Sequence, residues 1–153
     1  MKNYNPVTAE ILNELKSIVG EKYAFVDEEK CEAYSRDETP DSKYACRPEV
    51  VVLPQTSVEV ARIVKLANRA GISIAPRGAG TGLACGAIPI TGGIVLSLER
   101  FDQIIELNVD ALYMIVQAGV RTDEVQKAAK AAGLLYAGDP CSGDSCFIGG
   151  NLA

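Results

Sequence analysis

A strand, a helix and a second strand can be read in order from residues 49–87, EVVVLPQTSVEVARIVKLANRAGISIAPRGAGTGLACGA. The β-branched run that opens this segment is typical of a buried strand, and a second strand is predicted at 72–75. The helix between them begins at Thr56, where Glu59 completes a capping box, and it ends at Gly71. This βαβ unit predicts parallel strands in an α/β (α+β) fold.

Further elements on both sides of this unit are predicted from the spacing of apolar residues. They are helices at 8–19, 27–34 and 123–132 and strands at 93–98, 104–107 and 113–118. Thr122 is the predicted cap of the last helix. The helix of the βαβ unit is predicted to pack through its small residues Ala61, Val64, Ala67 and Ala70.

Composition and charge indicate an ordinary globular domain. The chain has 153 residues, of which 48% are hydrophobic and 23% are charged, so it is long enough to bury a core. Its net charge of −5 argues against binding of nucleic acid, which needs a basic surface. No segment reaches the ~20 apolar residues of a membrane span. Residues 1–6 lack the apolar run of a signal peptide, and we therefore expect a cytoplasmic protein.

Cysteine and histidine usage narrows the chemistry. The chain has five cysteines without a CxxC pair, and free thiols are expected rather than a disulfide framework or a metal site. They are Cys31, Cys46, Cys85, Cys141 and Cys146. The chain contains no histidine, which excludes a Ser-His-Asp triad, a histidine-ligated zinc or a histidine base within it.

The glycine-rich segment 76–87 is the candidate ligand loop. Small residues let the main chain turn tightly and expose consecutive N–H groups, which a diphosphate requires. A P-loop needs Gly-Lys-Ser/Thr, which is absent; a GxGxxG motif from Gly78 or Gly80 would need glycine at Leu83 or Cys85. A flexible connection is the alternative for glycines alone. The arginine in the loop and its place after a βαβ strand favour an anion site.

Residues 76–83, PRGAGTGL, closely resemble the pyrophosphate loop of flavoproteins related to vanillyl-alcohol oxidase and p-cresol methylhydroxylase (PCMH). Further motifs resemble the branch of glycolate oxidase large subunits and D-lactate dehydrogenases. These motifs are DET at 37–39, PEVVV at 48–52, GDPCSG at 138–143 and IGGN at 148–151. They follow one another in order and with family-like spacing from about residue 36 to the last residue.

The resemblance implies a helical lead-in at 1–46 and a PCMH-type FAD-binding domain at 47–153. This domain would comprise a βαβ-containing first subdomain and the start of the second. It would be truncated, with the cap domain that completes the substrate pocket absent from the chain.

The resemblance also implies non-covalent FAD as the cofactor and assigns its contacts. The diphosphate would be wrapped by Pro76, Arg77, Gly78, Ala79, Gly80, Thr81 and Gly82, mostly through backbone N–H groups. The flavin and ribityl chain would lie along Pro140, Ser142, Gly149, Gly150 and Asn151. For Arg77 a structural role as a salt-bridge partner is the alternative. No metal ligand is assigned.

Two departures from the family pattern bear on flavin binding. The family usually has glycine where Cys85 stands, and this side chain is predicted to be a small filler that could weaken flavin binding. Some relatives attach the flavin through histidine, which is impossible in a chain without histidine. A thiol link through Cys141 or Cys146 is then the covalent alternative.

The intact protein would oxidise a 2-hydroxy acid such as D-lactate or glycolate to the 2-oxo acid, with hydride passing to flavin N5. Electrons would then go to an electron-transfer flavoprotein or an iron–sulfur partner. The resemblance implies that the catalytic residues lie beyond Ala153. Asp110, Asp139 and Asp144 are expected to be solvated turn carboxylates rather than bases. Alone, the chain is expected to bind FAD weakly, to be inactive and to form a homo-oligomer through exposed apolar surface.

Two alternatives remain for the function. The chain could be a free-standing, non-catalytic module that binds flavin or another nucleotide. It could also belong to another PCMH-type flavoprotein, such as a UDP-N-acetylmuramate dehydrogenase or the flavin subunit of a molybdenum hydroxylase. The DET motif at 37–39 and its spacing to 148–151 disfavour this second alternative.

Overall fold

The protein is described by a computed structural model that covers residues 4–153, apart from the side chain of Ser42. Residues 1–3 lie outside this range. They were predicted to belong to the helical lead-in at 1–46 and to the segment 1–6 that lacks the apolar run of a signal peptide. The elements are α1 (Ala9–Val19), β1 (Ala24–Phe25), α2 (Glu28–Glu32), β2 (Val50–Val52), α3 (Ser57–Ala70), β3 (Ile74–Arg77), β4 (Ile94–Ser97), β5 (Ile104–Asn108), β6 (Tyr113–Val116), α4 (Thr122–Ala131) and α5 (Ile148–Leu152). The 3-10 turns Glu21–Tyr23 and Ser42–Tyr44 complete them.

The main sheet has four strands in the order β1-β2-β4-β3. Strand β4 is parallel to both β2 and β3, with Val95 aligned between Val51 and Ala75, and β1 is antiparallel to β2. The two strands of the predicted βαβ unit are therefore parallel, but β4 lies between them. Strand β3 runs two residues later than predicted, so that Pro76 and Arg77 belong to the strand rather than to the loop.

Both faces of the sheet are covered, which explains the continuous apolar run of β2. Val50 and Val52 pack with Leu15 of α1 and Ile63 of α3 in the main core. On the other side of the strand, Val51 packs in a smaller cluster with Cys31 of α2. Because Leu15 packs in the main core, α1 of the lead-in helps to support the sheet. Burying each such aliphatic side chain contributes roughly 1.5–3 kcal/mol.

Helix α3 differs in detail from its sequence prediction. Its buried residues are Ile63, Leu66 and Ala67, whereas Ala61 and Val64 are exposed. The helical period favours the face with the larger aliphatic residues, because they bury more apolar area. At its start Thr56 Oγ1 accepts from the Glu59 N–H at 3.2 Å. The Glu59 carboxylate accepts from the N–H of Gln55 at 2.6 Å, one residue before the position that a capping box predicts.

The remainder of the chain forms a second layer from the β5–β6 antiparallel hairpin, α4 and α5. Its core is built on Val120, Val125 and Ile148. Thr122 was predicted as the cap of α4, but it is the first residue of the helix and follows Arg121, whose side chain makes no capping bond. The short helix α5 was not predicted, because its sequence IGGNL includes two glycines of low helix propensity.

Two further features concern the chain as a whole. No helix within residues 4–153 is long and apolar enough to cross a membrane. All five cysteines lie in this range as free thiols, with Cys31 and Cys146 buried and Cys141 exposed.

Candidate functional site

A cavity of about 250 Å³ lies where the loop after β3 meets the segment that leads into α5. It is lined by Gly78, Ala79, Gly80, Thr81, Gly82, Ala87, Ser142, Phe147, Gly150 and Asn151. The two sequence motifs predicted to contact FAD, which are far apart along the chain, thus face one cavity. No residue in this lining set carries a charged side chain.

The loop presents a row of unpaired backbone donors. Within the described part of the chain, the N–H groups of residues 78–84 donate no hydrogen bond. Gly80 has a φ of +76°, a left-handed conformation that glycine adopts without strain. A run of free N–H groups in such a turn forms a concavity that attracts anions, so the loop can hold a phosphate group without a cationic side chain.

Four glycines in or beside the cavity form two groups, which differ in what surrounds them. At Gly149 a Cβ would overlap the carbonyl oxygen of Ala118, and at Gly80 the left-handed φ disfavours a side chain, so the fold itself favours glycine at both positions. At Gly82 and Gly150 a Cβ would meet nothing within 4 Å, and neither residue has a left-handed φ. Open space in front of these two glycines leaves room for a ligand to approach the backbone closely.

The opposite wall of the cavity is fixed to the second layer by backbone hydrogen bonds. The N–H groups of Ile148 and Gly149 donate to the carbonyls of Val120 and Ala118 at 2.8 and 2.9 Å. These bonds place Phe147 against the loop, where a Cβ on Gly78 would lie 3.6 Å from the aromatic ring. Sequence reasoning missed Phe147, although an aromatic residue directly before IGGN was visible.

Asn151 is held by a buried polar cluster. Its Nδ2 donates to Thr122 Oγ1 at 2.5 Å and lies 3.3 Å from the Cys146 sulfur. Burial by itself would raise the pKa of the Cys146 thiol, but hydrogen bonds from Thr122, Asn151 and Ser142 lower it on balance. The cluster orients the start of α5 at the cavity, and the Asn151 amide nitrogen is engaged within the protein.

Arg77 does not line the cavity. Its side chain is only 8% exposed, and its guanidinium donates to the carbonyls of Arg36 and Ala33 at 2.8 and 3.2 Å. Among the described residues it forms no ion pair, so the alternative role as a salt-bridge partner is not what the structure shows. Desolvation by burial lowers the pKa of Arg77.

Other predicted residues also lie outside the cavity lining. They are Pro76 in β3, Pro140, and Gly149 beneath the cavity wall. The carboxylates considered as bases, Asp110, Asp139 and Asp144, are exposed and do not line it either. Cys141 and Cys146 are likewise absent from the lining. Ala87 lines the cavity but was not predicted.

The residues present fit an anionic, elongated cofactor such as FAD. Unpaired backbone N–H groups, two glycines with open space in front of them and the aromatic ring of Phe147 surround one cavity. The site and the mixed sheet define the FAD-binding domain of PCMH-type flavoproteins.

Comparison with known proteins agrees with this class. Residues 48–153 match the family described as "FAD binding domain", and the chain belongs to this family. The glycolate oxidase subunit GlcD of Escherichia coli K12 is 40% identical over 112 residues, which are 73% of this chain and 22% of that protein. A D-lactate dehydrogenase of Anaerostipes hadrus is 37% identical over 151 residues, 98% of this chain and 31% of the relative.

Solved structures share the fold. An alkyldihydroxyacetonephosphate synthase superposes with a TM-score of 0.84 at 21% identity, over 98% of this chain and 33% of that one. Substrate-bound p-cresol methylhydroxylase superposes with a TM-score of 0.69 at 22% identity, over 80% of this chain and 24% of its own. The chain spans between a fifth and a third of the length of these curated relatives. The predicted family, PCMH-type fold class and FAD cofactor are confirmed; the boundary at residue 47 stays a prediction.

Proposed function

We propose that this chain is the N-terminal FAD-binding portion of a flavin-dependent 2-hydroxy acid dehydrogenase or oxidase, with the loop at 78–82 holding the FAD diphosphate. The observation that carries the proposal is the row of unpaired N–H groups at 78–84 beside a cavity without charged side chains. A diphosphate needs several donors within a small space, and backbone amides supply them without net positive charge.

The proposed contacts are the predicted residues that line the cavity. Loop residues would hold the diphosphate through their N–H groups; these residues are Gly78, Ala79, Gly80, Thr81 and Gly82. Ser142, Gly150 and Asn151 would form the wall along which the ribityl chain and flavin lie, with Phe147 beside them. Neither Cys141 nor Cys146 lines the cavity, which supports non-covalent binding.

The substrate class rests on the names of the relatives. They include glycolate oxidase, D-lactate dehydrogenase and D-2-hydroxyglutarate dehydrogenase. Bound FAD supplies the hydride acceptor for such an oxidation, and this chain would bind and orient it. Since residues 1–153 contain no histidine, we propose that groups taking the hydroxyl proton belong to other parts of a longer protein, and that this chain is inactive alone. An electron-transfer flavoprotein or an iron–sulfur protein stays the predicted acceptor.

Substitution of Gly82 by alanine tests the diphosphate site. The added methyl group meets no protein atom within 4 Å, so the fold should be unaffected, but it would project where the cofactor is proposed to lie. Saturation-transfer NMR suits the weak binding expected here, with FAD and ADP as probes. We expect Gly82→Ala to lose the signal of both probes while its unfolding free energy changes by less than about 1 kcal/mol.

Gly86→Ala is the matched control. Its Cβ also meets nothing within 4 Å and its φ is not left-handed, but Gly86 does not line the cavity. It should bind FAD and ADP as the unchanged chain does. Equal binding by Gly82→Ala and Gly86→Ala would place the diphosphate elsewhere.

The enzymatic part of the proposal is tested at the gene. An open frame that continues past the codon for Ala153 to the length of the relatives, and that encodes histidines, supports the dehydrogenase. A stop codon directly after Ala153 would leave the non-catalytic flavin-binding module as the function of this gene product.

A further inference from the structure

The segment of residues 33–39, called here the brace, follows α2 in the chain and contacts the loop beside the cavity. Its first contact is with Arg77, the last residue of β3. The two terminal guanidinium nitrogens of Arg77, Nη1 and Nη2, donate to the carbonyls of Arg36 and Ala33, at 2.8 and 3.2 Å. One buried side chain thus fixes both the end of the strand and the middle of the brace, although these parts are 41 and 44 positions apart.

The brace contacts the loop at two further points. The N–H of Glu38 donates to the carbonyl of Gly82 at 3.1 Å. The hydroxyl oxygen of Thr39 accepts from the N–H of Cys85 at 3.3 Å and lies 3.5 Å from its thiol. The segment 78–84 is therefore tied before its first residue, at Gly82 and after its last residue.

Arg77 also shapes the loop from beneath. A Cβ on Gly80 would overlap the guanidinium of Arg77, so the backbone of the left-handed turn at Gly80 packs directly against this side chain. The guanidinium lies 5.5 Å from the centre of the Tyr34 ring and is buried without a carboxylate ion pair in the described structure. A charge buried in this way is costly unless hydrogen bonds hold it, and its two bonds go to the brace.

We propose that the brace holds the loop at 78–84 in its donor-exposing shape before the cofactor arrives, and that Thr39 and Arg77 are positioning residues for phosphate binding that do not touch the cofactor. This inference rests on the proposed function of the loop and deepens it. It also gives the DET motif at 37–39 a role, since Glu38 and Thr39 make two of the contacts.

The physical reason is preorganisation. A loop whose N–H groups are unpaired has no internal hydrogen bonds to define its shape, so an untied loop would sample many conformations. Ordering it on binding would reduce the affinity by the entropy that is lost. Contacts from outside the loop remove this cost while leaving the donors free for the ligand.

Thr39→Val and Thr39→Ser separate positioning from simple stabilisation. Valine has nearly the shape of threonine but cannot accept the Cys85 N–H bond, whereas serine can. In the 153-residue chain we expect Thr39→Val to weaken binding of FAD and of ADP by about threefold to tenfold, the effect of one lost hydrogen bond. Thr39→Ser should restore binding. Limited proteolysis without ligand should cut Thr39→Val faster within 78–86 but not within the turn 109–112.

Arg77→Met and Arg100→Met form the second pair. Arg100 also donates to a distant carbonyl, that of Leu53 at 2.9 Å, and its guanidinium lies 3.5 Å from the centre of the Tyr23 ring. Among the described residues, Arg100 forms no hydrogen bond with the loop. We expect Arg77→Met to weaken FAD binding by at least about tenfold and to mobilise 78–86. Arg100→Met should change binding by no more than about twofold when corrected for thermal stability.

The outcomes separate this inference from the proposed function. If the unchanged chain binds FAD and Thr39→Val binds it equally well, the brace is not a positioning device. If the unchanged chain binds neither FAD nor ADP, the assignment of the loop to diphosphate binding fails. Limited proteolysis alone then tests whether the brace holds the loop. Faster cleavage of 78–86 in Thr39→Val then upholds the brace, and unchanged cleavage overturns it.

Discussion

The side-chain amide of Asn151 donates a 2.5 Å hydrogen bond to the hydroxyl of Thr122, which is completely buried. Thr122 is the first residue of α4 and Asn151 is the fourth residue of α5, so this bond joins two helices through residues that are 29 positions apart. The Cys146 thiol lies 3.3 Å from both side chains. The three residues hold the wall of the cavity against α4.

A double-mutant cycle should detect this bond. Within residues 4–153, Thr122→Val leaves the Asn151 amide nitrogen with the Cys146 thiol as its only side-chain partner, and Asn151→Ala removes the donor. We expect a coupling energy of about 0.5–1.5 kcal/mol between the two substitutions in urea unfolding, as for a typical hydrogen bond. Asn151→Ala combined with Asp110→Asn, which changes an exposed turn residue, is the control and should be additive. Additivity in the first cycle would contradict the bond.

Cys85 should be better replaced by glycine than by alanine. Its φ of +58° lies in the left-handed region, where a non-glycine residue is strained by roughly 1–2 kcal/mol. Cys85→Gly relieves this strain but adds unfolded-state entropy of about 0.5–1 kcal/mol. Cys85→Ala keeps the strain, and both variants lose the thiol contact with Thr39. We expect the glycine variant to exceed the alanine variant in unfolding free energy, measured in urea; the reverse order would argue against the left-handed conformation.

The ion pairs of Asp123 at the start of α4 should make stability depend on pH. A hydrogen bond from Lys127 at 2.7 Å, followed by the charge of Arg121, lowers the pKa of Asp123. Because the folded pKa is below the unfolded one of about 3.9, ionised Asp123 stabilises the fold above that pH. The contribution disappears as the pH falls through the folded value.

We therefore expect Asp123→Asn to be less stable than the unchanged chain at pH 7 and equally stable well below pH 4. Urea unfolding at both pH values measures this difference. Asp110→Asn, which removes an aspartate without an ion pair in the described structure, should show no such pH-dependent difference. A constant deficit of Asp123→Asn at all pH values would rule out the electrostatic origin.

The chain should self-associate through a second, apolar cavity. This cavity of about 280 Å³ is bordered by the β5–β6 hairpin and α5, and it includes Leu112, Leu135 and Leu152, which are 72%, 88% and 76% exposed. Contiguous apolar surface of this kind favours association. We expect light scattering to show a dimer or larger species, and Leu135→Glu to shift it towards monomer.

Leu83→Glu is the matched control for self-association. Leu83 is 70% exposed but belongs to the loop at 78–84 and does not line the apolar cavity. Its substitution should leave the oligomeric state unchanged. A monomeric unchanged chain at high concentration would contradict the prediction.

Local sequence signals predicted most elements of the fold. The helix predicted at 8–19 is α1, which Thr8 and Gly20 cap, and Gly71 ends α3 as predicted, with a left-handed φ of +66°. These features depend on neighbouring residues, whose capping and conformational preferences act over one turn of chain. The glycine-rich loop and the IGGN motif could also be recognised from the sequence. Each is a short motif, and the backbone geometry that a ligand needs depends there on adjacent residues.

The chain's own order of residues thus determined where most helices and strands and the glycine-rich loop lie, and to which family the chain belongs. Only the tertiary structure decided that β4 lies between β2 and β3, that Arg77 points into the brace instead of the cavity, and that α5 forms from a glycine-rich segment. Each of these outcomes depends on contacts between residues distant in sequence. The free energy of such contacts comes from burial and hydrogen bonding across space, which local propensity does not contain.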